Sequence, residues 1–433
     1  MRKTKMSAKF WAALTIFSLI GQVAWVVENM YFNVFIYKMF HASAAEISTM
    51  VGASAVAATV TTLLVGAFSD KVGKRKLFIC SGYILWGISI FCFSLIRTDV
   101  IEKIFPMTLS AASVGVSLVI IMDCVMTFFG SAANDACFNA WVTDVTDDTN
   151  RGAAEGINSM MPLVAILVVF GGFMSFNLDL QESWITIFRI IGIVVTLLGV
   201  LGFFLIQDHP VDTSLNQNYF ANIFYGLRPS VIKQNYMFYI ILGAYAIFNI
   251  SIQTYMPYLI LYYNVSLALD NYVLIMAPAV IVAAIVTAFY GKIYDKYHFK
   301  IAIIPSIGML CVGYVLLYVF TNIVLVFAGS LFMMSGYLTG MAVFGAMLRD
   351  HTPQNKTGMF QGLRIVGQVL VPGIVGPAIG AYVLRNAEQI LNNDGTYSFV
   401  PNNNIFAAAL AVAVVIWMVL FVVFHILKNK ENN

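Results

Sequence analysis

The chain has 433 residues, 60% of them hydrophobic and 10% charged, with a mean hydropathy of +0.84. A soluble domain carries roughly a quarter charged residues, so this composition excludes a water-soluble fold and marks an integral membrane protein. The net charge of +3 reflects where the loops lie, and no nucleic-acid partner is expected.

A span needs about 20 apolar residues. Twelve fit, at 10–38, 47–69, 77–97, 116–141, 158–178, 184–206, 236–263, 270–290, 301–320, 323–347, 362–384 and 405–427. The expected fold is an all-α membrane protein. Span 1 follows basic residues as a signal peptide would, yet it is too long, contains Glu28 and lacks a small-residue cleavage site, so it reads as a retained helix. It carries a polar stripe: Gln22, Asn29 and Asn33 recur at helical spacing, Trp25 lies between them, and Glu28 sits about 100° round the helix. After span 2 comes Gly66 to Lys76, G-A-F-S-D-K-V-G-K-R-K. Such a knot of charge cannot lie in hydrocarbon, which predicts a tight loop at a membrane face, with Gly66 and Gly73 where a helix would end and turn.

Span 4 holds Asp123, Asn134 and Asp135. Ionisable groups in hydrocarbon are costly and therefore candidates for function. Asp123 and Asn134 are eleven residues apart, which puts them on one helical face, while Asp135 points about a third of a turn away. Arg189 in span 6 is the one arginine left within a span. It could pair with Glu28 or Asp123, or snorkel towards water. Residues 208–235, polar and with two prolines, read as a cytoplasmic linker between an amino-terminal half, 1–207, and a carboxy-terminal half, 236–433.

The second half echoes the first. Span 7 has Asn249, Ser251, Gln253, Thr254 and Tyr255, so that Asn29 falls on Gln253 and Tyr31 on Tyr255, which suggests a shared wet cavity. Gly291, Asp295 and Lys296 repeat the spacing of Gly66, Asp70 and Lys71 after 225 residues, predicting a second charged turn. Asp144-x-Thr146 and Gly152 match Asp350-x-Thr352 and Gly358 at an offset of 206. Two pseudo-symmetric six-helix bundles joined by a linker are what alternating-access transporters are built from. With the amino terminus inside, 19 of the 24 Lys and Arg fall on the cytoplasmic side, predicting both termini cytoplasmic in the plasma membrane.

No phosphate-binding loop, nucleophile–base constellation or metal-ligand spacing occurs, and the five cysteines all lie in apolar segments. Neither enzyme activity nor a cofactor or metal is expected. The residues assigned to solute binding are Gln22, Trp25, Asn29, Asn134, Asp135, Asn249, Gln253 and Tyr255. Those assigned to a coupling ion, Na+ or H+, are Glu28, Asp123 and Asp135.

Gly66-x-x-x-Asp70-Lys71-x-Gly73-Lys74-Arg75, with its worn copy at Asp295-Lys296, resembles the helix 2–3 loop signature of the major facilitator superfamily. The resemblance implies a two-bundle transporter in which Asp70 meets the start of helix 11 and the loop gates transport. Within that superfamily the chain looks most like the glycoside-pentoside-hexuronide:cation symporters, the melibiose permease group, through Asn139 to Asn158 and through Asp350 to Gly362 followed by Gln368. It departs from that group in having Gln22 and Pro372 where helix 1 and helix 11 charges are usual. The expected function is cation-coupled uptake of a small polar solute, a sugar or glycoside, by a monomer in the bilayer. An exporter of amphipathic compounds or a lysolipid carrier would use the same fold.

Overall fold

Apolar runs of this length wind into helices because hydrocarbon offers their backbone no other hydrogen-bond partner, and the ends are marked by local chemistry. Ser7 caps the first helix by accepting the Phe10 amide at 3.2 Å. Ser43 and Glu46 form a reciprocal capping box at the start of the second, which satisfies two amides that have no partner within the helix. The computed structural model describes residues 6–105, 110–147, 150–208, 226, 228–352, 360, 363–392 and 395–431.

The helices are α1 (Ala8–Phe40), α2 (Ala44–Val72), α3 (Arg75–Cys92), the short α4 (Thr98–Ile104), α5 (Ala111–Val145), α6 (Arg151–Phe173), α7 (Gln181–Leu205), the short α8 (Pro229–Gln234), α9 (Tyr236–Ser266), α10 (Val273–Val319), α11 (Ile323–Asp350), α12 (Leu363–Leu384) and α13 (Asn404–Glu431). Among the described residues twelve helical stretches are long and apolar enough to cross a membrane, six in each half. Among the described residues the one exception to an all-α fold is a hairpin of β1 (Gln389–Leu391) and β2 (Tyr397–Phe399), antiparallel with Ile390 opposite Ser398.

The chain divides into two compact units, Met1–Ala221 and Asn222–Asn433. In unit 1, α1 packs on α6 and α7, α2 on α5, and α3 on α7. An aromatic cluster joins α1 to α3 and α7, with Phe32–Phe93 at 4.6 Å, Phe35–Phe188 at 4.9 Å and Phe35–Trp184 at 5.3 Å. In unit 2, α10 packs on α11 and α9 on α12 and α13, around Tyr255, Tyr314 and Phe406. Most of the predicted linker, 209–225, lies outside the described residues.

Two predicted turns come out differently. Within Gly66 to Lys76 the helix continues through Gly66 to Val72, and the reversal is confined to Gly73 and Lys74. Gly73 takes φ 69°, a left-handed conformation that a β-carbon disfavours. Gly73→Val is therefore expected to cost about 1–2 kcal/mol, read as a lowered midpoint in thermal unfolding of the purified protein. Gly73→Asn should lose less.

The predicted second charged turn is not a turn. Helical winding is unbroken through 291–298, and no residue there has a positive φ. The position 225 residues after Gly73 is His298; the copy kept Asp295, Lys296 and Lys300 and lost the glycine that stops the helix.

Candidate functional site

Two of the three candidate carboxylates of unit 1 sit where the backbone departs from α-helical winding; Asp123 is on the regular α-helical part of α5, Ala111–Gly130. Glu28 lies on a π-helical stretch of α1, Val27–Phe32, and Asn134 and Asp135 on another in α5, Ser131–Phe138. Such segments are rare and recur at functional sites, because the wider turn re-aims side chains that a regular helix would place elsewhere. This explains why Gln22, Asn29 and Asn33 do not share one environment. Asn29 is exposed, Gln22 half-buried and Asn33 fully buried, and the amides of Asn29 and Asn33 bond the backbone one turn back, at Trp25 O and Asn29 O.

Glu28 and Asp123 are 6% and 2% exposed. The hydroxyls of Ser54 (α2) and Thr127 (α5) both donate to Glu28 Oε1, each at 2.7 Å, and lie 3.0 Å from one another. Ser54 is also within reach of Asp123, and the Asp123 and Glu28 charges act on each other. Glu28 Oε2 and Asp123 Oδ1 have no hydrogen-bond partner among the described residues. Spans 1, 2 and 4 thus bring together two buried carboxyl groups, two hydroxyls and no basic side chain. Arg189, offered by the sequence as a partner, is exposed on α7 and pairs with neither carboxyl.

Asp135 sits next to this cluster. It is half-buried, accepts Ser131 Oγ at 3.1 Å and Asn134 Nδ2 at 3.3 Å, and is near enough for its charge to act on Glu28. Asn134 Oδ1 accepts the Tyr83 hydroxyl at 2.8 Å. A β-carbon on Gly21 would fall 2.7 Å from both of those atoms, so this bond exists because residue 21 has no side chain. Trp25, half-buried, packs against Trp86 with the ring centroids 4.9 Å apart and the planes tilted by 46°, and lies beside Asp135. The carboxyl pair and the Asn134–Asp135 pair form one polar seam through the unit.

In unit 2, Asn249 is buried and its amide bonds Tyr245 O at 2.8 Å. Gln253 is half-buried against Gly376, and Tyr255 is fully buried between Tyr314 and Phe406. The structure adds a group that the sequence did not reveal. Arg364 Nε donates to Gln368 Oε1 at 2.8 Å, Gln368 Nε2 donates to the Tyr245 hydroxyl at 2.6 Å, and Gln368 is on a π-helical stretch of α12. Arg364 is the second residue of the helix Leu363–Leu384, and Gln368, one turn further on, offers its guanidinium a neutral acceptor.

Of the loop signature, Lys71 and Lys74 are exposed. Arg75 is 5% exposed, and it donates to Asp144 Oδ2 at 3.1 Å and Ser69 Oγ at 2.5 Å. It therefore ties α2 and α3 to the end of α5, joining the two motifs noticed separately in the sequence. In unit 2 the equivalent of Asp144, Asp350, accepts the Tyr294 hydroxyl at 2.5 Å. Lys296 is exposed with its ammonium 4.8 Å from the Tyr297 ring. The side chains of Asp70 and Asp295 lie outside the described part of the structure.

Comparison with known proteins follows the fold. The sequence profile of the Major Facilitator Superfamily matches residues 12–377. Among solved structures, a mutant of the nucleoside transporter NupG superposes with a TM-score of 0.70 at 14% identity, covering 95% of this chain and 99% of that one. A bacterial homologue of the human lysosomal transporter Spinster, inward-facing and occupied, gives 0.68 at 15% identity over 97% and 98%. The xylose transporter XylE from E. coli, partially occluded and inward open, gives 0.64 at 13% identity over 96% and 98%. At these identities the likeness is one of fold. No curated protein matches the sequence.

Proposed function

The chain belongs to the Major Facilitator Superfamily, and on that premise we propose a secondary transporter that takes up a small polar solute, a sugar or glycoside, with a cation by alternating access. The observation that carries the coupling is the pair Glu28 and Asp123, buried, with two oxygens that have no hydrogen-bond partner and with no basic partner among the described residues. An ionised carboxylate stripped of water costs several kcal/mol unless it is paired. Two hydroxyls on a single oxygen do not pair two carboxyls. A proton or a sodium ion would complete the cluster, the latter through Glu28 Oε2, Asp123 Oδ1 and the two hydroxyl oxygens.

The amides support a hydroxylated solute, since each offers both donor and acceptor. Asn134, Gln22, Trp25 and Asn29 in unit 1 and Asn249, Gln253 and Tyr255 in unit 2 are assigned to it, with Asp135 between solute and ion. The loop Gly66, Asp70, Lys71, Gly73, Lys74 and Arg75, with Asp295 and Lys296, is assigned to gating. On this reading the chain resembles the glycoside-pentoside-hexuronide:cation symporters, and the protein works as a monomer in the plasma membrane with both termini cytoplasmic.

A thermal-shift screen of sugars, nucleosides and lysolipids tests this. A glycoside at about 100 times its dissociation constant should stabilise the protein by about 2.7 kcal/mol, more so with the coupling cation present. Stabilisation by lysolipids alone would instead favour a lipid carrier. Asn134→Ala, which removes the amide that bonds Tyr83 and Asp135, is expected to weaken binding of that glycoside about tenfold, measured by titration calorimetry. Unchanged cation dependence in Asp135→Asn would remove Asp135 from coupling.

A further inference from the structure

Arg189 is a charge that unit 1 leaves unanswered. It lies eight residues into α7, is exposed, and makes no ion pair or hydrogen bond among the described residues. Glu182 precedes it by two turns, is exposed, and is not paired with it. An arginine carried into hydrocarbon costs roughly 2.5–3.5 kcal/mol and relaxes by stretching its head towards the interface. The nearer end of the helix is the Gln181 end, and a helical side chain leans towards the helix N-terminus, so the head is expected to stretch that way and reach the boundary between headgroups and acyl chains.

From Gly192 onward along α7, three residues after Arg189, α3 and α7 leave an open crevice of about 250 Å³, lined by Ile88, Phe91, Gly192, Ile193, Thr196 and Leu197. Ile193, Thr196 and Leu197 follow Arg189 by four, seven and eight residues, so cation and crevice share one stripe of the helix. The crevice has a structural cause. A β-carbon on Gly87 would fall 2.4 Å from the Thr196 amide, and one on Gly192 would fall 2.7 Å from the Phe91 amide. The two backbones touch there, and no side chain fills the groove beside the contact. Thr196 turns its hydroxyl back to Gly192 O at 2.8 Å, leaving its methyl group for the groove. Ile88, Ile193 and Leu197, at 47%, 49% and 60% exposed, open it to the surrounding hydrocarbon.

We propose that this is a binding site for an anionic phospholipid, with its phosphate on Arg189 and one acyl chain in the crevice between α3 and α7. A bare apolar groove would accept any chain. The cation at its mouth, on the same stripe and at headgroup depth, selects a negatively charged head.

The test is native mass spectrometry of the purified full-length protein titrated separately with phosphatidylglycerol and phosphatidylcholine of the same chains. The wild type is expected to retain phosphatidylglycerol about fivefold better, the preference that one basic residue gives near an anionic headgroup. Arg189→Gln should bring the ratio to about one, Arg189→Lys should keep most of it, and Ile193→Trp, which fills the crevice, should lower retention of both lipids. These positions face lipid, so a monodisperse elution profile verifies the fold of each variant. Equal retention of the two lipids by the wild type, or an unchanged ratio in Arg189→Gln, would overturn the headgroup assignment. Full retention in Ile193→Trp would overturn the crevice. None of these outcomes depends on the transport reading.

Discussion

Replacing Glu28 with glutamine is expected to abolish cation-driven accumulation while leaving a folded carrier. Ser54 and Thr127 both donate to Glu28 Oε1, and a glutamine carbonyl in the same place accepts the same two bonds with nearly the same volume. What the amide cannot do is titrate or neutralise a cation. In proteoliposomes energised by a sodium or proton gradient, the wild type should concentrate solute well above the outside level, and Glu28→Gln should stop at about equal concentrations. Asp123→Asn should behave alike, since its carboxyl completes the same cluster. Glu28→Ala separates the two roles. It also removes the acceptor that both hydroxyls share; Ser54 and Thr127, 3.0 Å apart, can then bond one another, which leaves one buried donor unmade at about 1–3 kcal/mol, so it should lower thermal stability where Glu28→Gln does not. Accumulation by Glu28→Gln at the wild-type level, with the same ion dependence, would end the assignment.

Arg75→Ala should give the largest loss of stability. The guanidinium is 5% exposed and holds Asp144 and Ser69 through different nitrogens. Removing one member of a buried ion pair costs about 3–5 kcal/mol because the other charge is stranded. Asp144 is 26% exposed, and water recovers part of that, leaving roughly 2–3 kcal/mol. The loss is read from thermal unfolding of the purified protein. Asp144→Asn placed on top of Arg75→Ala should add little, because the stranded charge is then gone, and the double-mutant cycle should show a coupling of at least about 1 kcal/mol. A cycle that sums additively would mean that the arginine is only a topogenic charge, as its place in a basic cluster first suggests.

The contrast between Arg75 and its neighbours shows what a sequence can reveal in a membrane protein. Twelve spans and two halves are legible because hydrocarbon demands long apolar helices and water demands charged turns, and both demands are met residue by residue. Lys71, Lys74 and Arg75 look equivalent in the sequence, yet only Arg75 is buried among the three, since burial is set by which helix lies alongside. The turn does not recur at 291–298 because charge spacing alone does not stop a helix, and His298 stands where Gly73 stops it in the first half. The carboxyls of the candidate site were legible as charges in hydrocarbon. Their hydroxyl partners were not. Ser54 and Thr127 carry no signal of their own, and Gly21 matters only because Tyr83 and Asn134 meet beside it. The π-helical stretches that carry Glu28, Asp135 and Gln368 were invisible too, because a change in backbone hydrogen-bond register leaves no period in the residues.

The central claim is that solute and cation move together through a carboxyl cluster in the first unit. The most direct measurement is the cation current evoked by adding a binding glycoside to wild-type proteoliposomes with no imposed gradient. A transient inward positive current is predicted, absent in both Glu28→Gln and Asp123→Asn although each still binds the glycoside. Solute uptake without any current or pH change in the wild type, or a current that survives in both variants, would contradict it.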